Sequence, residues 1–322
     1  MELEHQRFIA SISPAYWRAI CECRCARLAR ALAWEKVASQ LMNWSLVDIL
    51  QEGERLEVLD VGAALNETPS YQGLIDAGRA RITGFEPDQL ECDRLTRTYG
   101  EPHRFFPCFV GDGKPSTFYE TNWALTGSLY APNTPLLEKF QNLSELTLPV
   151  ATHSVVSRRL DDIVEIDRVD FIKIDVQGSE LAVLTNAQRI LPQVLAIQVE
   201  VEFVELYKGQ PMFSDVDAFL RRMGFQFHSF NGFGGRAFKP MAPAGGINRA
   251  FRQLLWSDAV YVADWMKLNH LTESQLRRYA LLAHDLLHSF DLAHLVLSEI
   301  DARTGELTAD LYLMMHDQAA GV

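Results

Sequence analysis

The residues best suited to chemistry are acidic side chains that follow short apolar runs. Asp60 ends the run LEVLDV, Glu86 follows RITGF, and Asp175 follows VDFIKI. A fourth run, LAIQVEVE, ends with Glu200 and Glu202 on one face. In a sheet of parallel strands, ligands bind beyond the carboxyl ends of the strands. We therefore expect these carboxylates to lie at a ligand site.

The segment LEVLDVGAALNE predicts a strand followed by a tight turn that a ligand can approach closely. Gly62 lacks the Cβ that would obstruct the ligand, and Ala63 and Ala64 keep the next positions small. Glu86 can accept hydrogen bonds from both hydroxyls of a ribose. The turn has one glycine, and Glu67 would add negative charge near a pyrophosphate. S-adenosyl-L-methionine therefore fits this turn better than NAD.

Methyl transfer from a sulfonium needs alignment of acceptor, methyl and sulfur, and removal of the acceptor proton. We expect Asp175, at the end of a central strand, to position the acceptor or contact the methionine moiety. Lys173 shares its strand face, and Glu180, early in the next helix, is expected to orient Lys173 or the substrate. The alternative is that Lys173 and Glu180 form a partly buried ion pair that braces the turn.

Glu200 and Glu202, together with Asp175, form a candidate Mg²⁺ site, in which the cation would lower the pKa of the acceptor. Two solvated acids at a strand end are the alternative interpretation. His153 and His228 are alternative bases, although an isolated histidine in an apolar strand is more often hydrogen-bonded packing. The predicted catalytic residues are Asp175, Lys173, Glu180 and Glu202.

The elements that would position these residues indicate an α/β fold, because the apolar runs alternate with helical segments from Leu56 onward. A β-rich excursion or flexible loop is expected before LTLPVATHSVV, with Thr126 and Ser128 as parts of a substrate-covering loop. After LAIQVEVE, the sequence predicts a helix near 214–223, a strand FQFHSF, a glycine-rich turn NGFGGR and a last strand WSDAVYVAD, which can be antiparallel. The predicted units are an N-terminal helical extension (1–50), a Rossmann-like domain (51–265) and a C-terminal helical extension (266–322).

The composition limits the partners. The chain has 30 basic and 42 acidic residues and a net charge of −12, which excludes a general attraction to nucleic acid or anionic lipid. No apolar stretch approaches the roughly 20 residues that span a bilayer, and the first residues lack a secretory pattern, so we expect no membrane span and a cytoplasmic location. The expected partner is a small-molecule or glycan acceptor, and homo-oligomerisation stays open.

Several motifs resemble the FkbM family of S-adenosylmethionine-dependent methyltransferases. They are LDVGA (59–63), GFEPD (84–88), VGDG (110–113), SRRLDDI (157–163), VDFIKIDVQGSELAVL (169–184) and VEVEFVELYKGQP (199–211). The resemblance implies a seven-stranded class I methyltransferase sheet and O-methylation of sugars, glycan building blocks or natural products. Asn66 stands where the family typically has a second glycine. The expected cofactor-binding residues are Asp60, Gly62, Ala63, Ala64, Glu86, Pro87, Asp112 and Asp175.

Two other functions stay open at this point, namely an NAD(P)-dependent Rossmann oxidoreductase and a cofactor-binding scaffold without catalysis. Two apparent metal motifs favour ordinary packing. His284, His288 and His294 have the spacing of zinc-protease ligands, but the leucines among them are typical of a packed helix. The cysteines at 21, 23 and 25 have no nearby ligand to complete a zinc site.

Overall fold

The computed structural model describes residues 45–50, 55–64 and 68–320. Most of the predicted N-terminal helical extension lies outside these ranges, as do the three cysteines at 21, 23 and 25. Asn66 and Glu67 also lie outside the described residues.

The helices and strands alternate along most of the described chain. The strands are β1 (Leu56–Val61), β2 (Ala80–Phe85), β3 (Arg104–Phe106), β4 (Pro115–Thr121), β5 (Pro149–Val156), β6 (Phe171–Ile174), β7 (Ala196–Glu202), β8 (Phe225–Gly234) and β9 (Trp256–Ala263). The α-helices are α1 (Val47–Leu50), α2 (Gln72–Asp76), α3 (Gln89–Tyr99), α4 (Thr134–Leu137), α5 (Glu180–Thr185), α6 (Phe213–Arg222), α7 (Glu273–Leu281), α8 (Phe290–Thr304) and α9 (Thr308–Ala320). A π-helical turn at Leu282–Leu286 follows α7 directly.

Seven strands form one sheet in the order β3-β2-β1-β6-β7-β9-β8. The pairs among β1, β2, β3, β6 and β7 are parallel, whereas β9 pairs antiparallel with both β7 and β8. The strand order reverses between β1 and β6, which is the position where open α/β sheets bind ligands. The predicted Rossmann-like seven-stranded fold and the antiparallel last strand are confirmed.

One predicted turn is wrong. In the sequence NGFGGR, the residues Asn231–Gly234 continue β8 and pair with β9, because Asn231 lies opposite Asp258 and Gly234 opposite Trp256. Gly234 has a packing role there, since a Cβ at this position would come within 1.9 Å of the Trp256 ring. The connection between β8 and β9 therefore begins later than the glycine-rich sequence indicated.

Apolar residues on both faces of the sheet explain why its strands are almost continuously hydrophobic. On one face, Val58 belongs to the same hydrophobic cluster as Tyr279 of α7 and Leu297 of α8. On the other face, Val61 packs in a cluster with Leu220 of α6. The C-terminal helices thus contribute to the core beneath the sheet. In the described ranges, no helix has the length and apolar character needed to cross a membrane.

The predicted β-rich excursion is present as an antiparallel hairpin of β4 and β5. A segment of short helical turns, 122–148, joins these two strands and includes α4. Its Phe140 packs in a small cluster with Leu255, the residue before β9. The excursion therefore reaches back to the edge of the main sheet.

A buried ion pair connects the C-terminal helices to the sheet. Asp170, just before β6, is fully buried and accepts a 2.8 Å hydrogen bond from Nε of Arg278 in α7. The other carboxylate oxygen of Asp170 accepts a 2.9 Å bond from the backbone N–H of Glu57 in β1. One carboxylate thus joins β1, β6 and α7.

We predict that Arg278→Met lowers the free energy of unfolding by about 3 kcal/mol, the lower end of the cost of breaking a buried pair, because the Asp170 carboxylate keeps only the half-exposed Arg168, whose Nε lies 3.3 Å away. Arg277→Met is the matched control, since Arg277 pairs with the more exposed Glu273 and Glu306. Urea denaturation followed by circular dichroism measures both variants. Equal stability of the two variants would contradict a special role for the buried pair.

Candidate active site

The turn after β1 lies against the end of β6. Gly62 has φ of 85°, and a Cβ added there would lie 1.9 Å from the carbonyl oxygen of Asp175. Its backbone N–H donates a 2.9 Å hydrogen bond to the carbonyl of Phe85 in β2. The expected reason for this glycine, room for the ligand, was therefore incomplete. The neighbouring strand itself excludes any larger residue.

Glu86 lies at the carboxyl end of β2, beside this turn. Its side chain is 9% exposed, and its Oε1 accepts a 2.9 Å hydrogen bond from the backbone N–H of Asp88. Burial raises the pKa of Glu86 to about 7. Ala63 is buried and Pro87 is half-buried next to it. Glu86 is thus a carboxylate that would gain from hydrogen-bond donors supplied by a ligand.

Asp60 and Lys173 are register partners on β1 and β6 and form a buried ion pair, with 3.7 Å between Oδ1 and Nζ. The hydroxyl of Tyr71 donates to the other oxygen of Asp60. Burial raises the pKa of Asp60 although Lys173 and Tyr71 oppose this effect. Burial alone would lower the pKa of Lys173, but Asp60 and the neighbouring carboxylates raise it overall. The alternative interpretation, an ion pair between Lys173 and Glu180, was wrong, because Lys173 pairs with Asp60.

Glu180 closes the turn in which it lies. Its Oε1 accepts hydrogen bonds from the backbone N–H groups of Val176, at 2.9 Å, and Gly178, at 3.1 Å. Burial raises the pKa of Glu180 to about 7. Its position fixes the chain that follows Asp175, so Glu180 supports the site instead of orienting Lys173.

Gln177 connects two carboxylates at the edge of the sheet. Its Nε2 donates to Oδ1 of Asp175 at 2.8 Å and to Oε2 of Glu200 at 2.7 Å. Its Oε1 accepts a 3.0 Å bond from the hydroxyl of Tyr207. Asp175 and Glu200 are both partly exposed. They are carboxylates that a bound acceptor can reach.

The excursion between β4 and β5 covers this turn. Ser128 is buried, and its Oγ donates a 2.5 Å hydrogen bond to the carbonyl of Gln177. Thr126 accepts a 3.1 Å bond from the Tyr207 hydroxyl through its own carbonyl. Thr126 and Ser128 thus lie against the turn that follows Asp175, and their role in covering a substrate stays a prediction.

Three glutamates beneath Gln177 are close enough to share a cation or protons. Carboxylate oxygens of Glu180, Glu200 and Glu202 lie within 4.8 Å of one another. The predicted Mg²⁺ set contained Asp175 where this group has Glu180. Burial, followed by mutual repulsion of the carboxylates, raises the pKa of Glu200 and of Glu202 well above the usual range. The Mg²⁺ site stays a prediction.

Asp112 is another predicted cofactor-binding residue. Asp112 is on an exposed loop, 3.4 Å from Nζ of Lys114, and lines a cavity of about 660 Å³ with Tyr130 and Arg159. Its contact with a cofactor stays a prediction.

The histidines have other partners. His153 lies 2.7 Å from Glu120 on the exposed hairpin. His228 is partly buried on β8, and burial lowers its pKa. His284 is buried and hydrogen-bonded to Tyr312 at 2.9 Å, as expected for a packed histidine.

Residues 60–227 match the family model described as the methyltransferase FkbM domain, which covers more than half of the chain. The chain belongs to the FkbM methyltransferase family. The match contains the turn after β1, Glu86, the β4–β5 excursion and the carboxylates of β6 and β7. The resemblance inferred from the motifs is confirmed, and with it a methyltransferase function. No curated protein matches the chain in sequence.

Solved structures similar to this FkbM methyltransferase are distant. A candidate methyltransferase from Thermoplasma acidophilum is 8% identical, with a TM-score of 0.33, over 65% of this chain and 68% of its own. The 1,6-didemethyltoxoflavin-N1-methyltransferase of Burkholderia thailandensis is 13% identical, with a TM-score of 0.32, over 78% and 91%. A SAM-dependent methyltransferase from Aquifex aeolicus is 10% identical, with a TM-score of 0.28, over 70% and 93%.

Sequence reasoning missed three residues of this methyltransferase site. Tyr71 donates a hydrogen bond to Asp60. Gln177 and Tyr207 connect the carboxylates to residues 122–148 between β4 and β5, which we call the covering segment. Gln177 lies inside the motif VDFIKIDVQGSELAVL, three residues after the end of β6. Its contacts depend on Glu200, 23 residues away, so local sequence gave no signal for them.

We predict that the free energy of unfolding falls as the pH rises from about 5 to about 8. The folded-state pKa values of Glu180, Glu200 and Glu202 are raised, so their stabilising contribution is complete below the unfolded value of 4.5 and is lost as the pH passes the folded value. Each titrating group contributes a slope of up to about 1.4 kcal/mol per pH unit. Denaturant titrations at several pH values measure this slope.

Glu202→Gln should flatten the pH dependence, whereas the exposed control Glu138→Gln should leave it unchanged. Adding Mg²⁺ at pH 8 provides a further test. Recovery of stability in the wild type but not in Glu202→Gln would support the predicted cation. A stability that does not change with pH in either protein would contradict the raised pKa values.

Proposed function

We propose that this protein transfers the methyl group of S-adenosyl-L-methionine to a hydroxyl of a sugar, a glycan precursor or a natural product. Membership of the FkbM family supports methyl transfer. One observation carries the choice of site. The positive-φ turn at Gly62 lies between the end of β2, where Glu86 follows Phe85, and the backbone of Asp175 after β6. This arrangement suits a nucleoside with a charged methionine tail.

The proposed orientation of the cofactor follows from these two ends. Glu86 would accept hydrogen bonds from the ribose hydroxyls at the end of β2. The methionine moiety would extend over Gly62 toward the end of β6, where Asp175 lies. In this orientation the sulfonium methyl would lie close to the partly exposed carboxylates of Asp175 and Glu200.

The proposed reaction is an in-line displacement. A lone pair of the acceptor oxygen attacks the methyl carbon, the carbon–sulfur bond breaks, and its electrons remain on sulfur as S-adenosylhomocysteine leaves. The acceptor proton passes to a carboxylate, for which Asp175 and Glu200 are the accessible groups. Raising the pKa of Glu200 makes it a stronger base when ionised. Gln177 holds both carboxylates in place and would make no bond to the reacting atoms.

The acid-rich site also bears on the choice of acceptor. A neutral hydroxyl compound can donate hydrogen bonds to Asp175 and Glu200 without bringing further negative charge to them. A sugar offers several such hydroxyls at fixed spacing. The proposal is therefore a polyhydroxylated small molecule or glycan precursor. A cytoplasmic location and homo-oligomerisation stay predictions.

We predict that S-adenosylhomocysteine binds up to about tenfold more weakly at pH 6 than at pH 8. The pKa of Glu86 is raised to about 7, and only its charged form accepts strong hydrogen bonds from both ribose hydroxyls. Calorimetry at both pH values measures the dissociation constants. Glu86→Gln should bind weakly at both pH values and lose the pH dependence. A pH dependence that persists in Glu86→Gln would contradict this role.

We also predict that Asp175→Asn and Glu200→Gln slow methyl transfer by about 10² for whichever residue takes the proton. Transfer of a radiolabelled methyl group into an acceptor fraction of cell extract gives initial rates. The control is Asp310→Asn, an isosteric change at an exposed position on α9. Melting temperatures and S-adenosylhomocysteine affinities separate a loss of catalysis from a loss of structure.

Three outcomes are distinguishable. A slow Asp175→Asn or Glu200→Gln variant that melts and binds S-adenosylhomocysteine normally would support the proposed mechanism. Wild-type rates in both variants would remove these carboxylates from catalysis. Cofactor binding by the wild type without transfer to any acceptor would favour a scaffold.

A further inference from the structure

The connection between β8 and β9, residues 235–255, has a composition unlike the rest of the chain. We call it the β8–β9 loop. Between Asp217 and Asp258 the sequence has no acidic residue, although the whole chain has 42. Within the loop itself there are four cations, namely Arg236, Lys239, Arg249 and Arg252. The loop is thus a cationic segment in a protein of net charge −12.

Large apolar side chains of the β8–β9 loop point into solvent. The most exposed are Met241, at 63%, Phe251, at 55%, and Phe238, at 53%. Ile247 is 48% exposed and Leu254 is 40% exposed. Scattered single apolar residues are normal on a protein surface, but so many within one short segment indicate an interaction site.

The loop lies at the same edge of the sheet as the candidate active site. β8 is antiparallel to β9, which is antiparallel to β7, so β8 ends at the edge where β7 ends. Glu202 of β7 lies opposite Trp256, which also lies opposite Gly234. The backbone N–H of Phe203 donates a 2.8 Å bond to the carbonyl of Leu255. The loop therefore begins two strands from the glutamate cluster, after β8, and ends one strand from it, before β9.

The covering segment holds the loop in a defined shape. Phe238 stacks on Phe140 with 4.5 Å between ring centroids. The backbone N–H of Lys239 donates to the carbonyl of Lys139 at 2.7 Å. The exposed apolar residues are therefore presented on a fixed platform beside the site.

The four cations differ in their contacts. Arg236 lies over the Trp256 ring, with 5.2 Å to its centroid, and Lys239 pairs with Glu145 at 2.7 Å. Arg249 and Arg252 are exposed. The charge that remains available on the loop is therefore positive, and it lies among the exposed apolar side chains.

We propose that the β8–β9 loop docks this protein on an anionic lipid surface. Insertion of Met241 and Phe251 at the lipid interface would bury apolar area, while Arg249 and Arg252 would meet anionic headgroups. A symmetric pair of copies that met through this loop would oppose cations to cations, so charge favours lipid over a second copy. Resting on the proposed function, the substrate class is an amphiphilic or lipid-linked hydroxyl acceptor.

Flotation of the full chain with lipid vesicles tests the docking without any cofactor or turnover, so its result is independent of the proposed function. The probes are vesicles of phosphatidylcholine alone and vesicles with about one third phosphatidylglycerol. We expect about tenfold stronger binding to the anionic vesicles, decreasing with added salt. The double variant M241S/F251S should lower binding to both vesicle types, and R249E/R252E should remove the anionic preference.

Matched controls lie at the opposite edge of the sheet. Arg222 ends α6 before β8 begins, and Val164 is 82% exposed before β6. R222E and V164S should bind vesicles as the wild type does, and all variants should keep its melting temperature. Failure of the wild type to bind anionic vesicles would overturn the proposal. Binding that the loop variants do not change would also overturn it, as would loop variants that alter only the oligomeric state in sedimentation.

Discussion

The carboxyl edge of the sheet depends on one constraint, which is that several buried carboxyl groups lie together, with Lys173 as the one lysine among them in the described part of the chain. Lys173 pairs with Asp60, so it cannot also neutralise the three glutamates. Burying an ionised carboxylate without a partner is costly, and groups in this position bind protons or attract donors. Tyr71 and the backbone N–H groups around Glu180 are those donors. The local structure around the site is therefore largely a means of satisfying carboxylate oxygens.

The same constraint separates supporting residues from those available to a ligand. Asp60, Glu180 and Glu202 are almost fully buried, whereas Asp175 and Glu200 remain partly exposed. Gln177 ties the exposed pair to Tyr207, and the segment that contains Ser128 closes over it. Changes in that segment would therefore reach the carboxylates through Gln177 and through the residues after β7, which the segment also contacts.

Much of the fold could be predicted because buried strands are continuous apolar runs and because the acids that end them are conspicuous. The ion pairs and hydrogen bonds between side chains on different strands could not be predicted. Lys173 and Asp60 are register partners on adjacent strands that are over a hundred residues apart, whereas proximity along the chain favoured Glu180 as a neighbour of Lys173. The motifs and their order indicated the family resemblance, but they did not predict the contacts of Gln177. The predicted helices before Ser45 lie outside the described residues.

The distribution of charge at this edge has a physical logic. A site rich in carboxylates repels anionic surfaces, and a chain of net charge −12 does so at longer range. Screening limits that repulsion to about 8 Å at physiological ionic strength. A cationic and apolar rim can therefore act locally even though the whole molecule is acidic. Because Glu202 and the ends of the β8–β9 loop are joined through Trp256, any surface bound by the loop is held at a fixed height relative to the carboxylates. Orientation, more than net attraction, is what such a rim would contribute to methyl transfer.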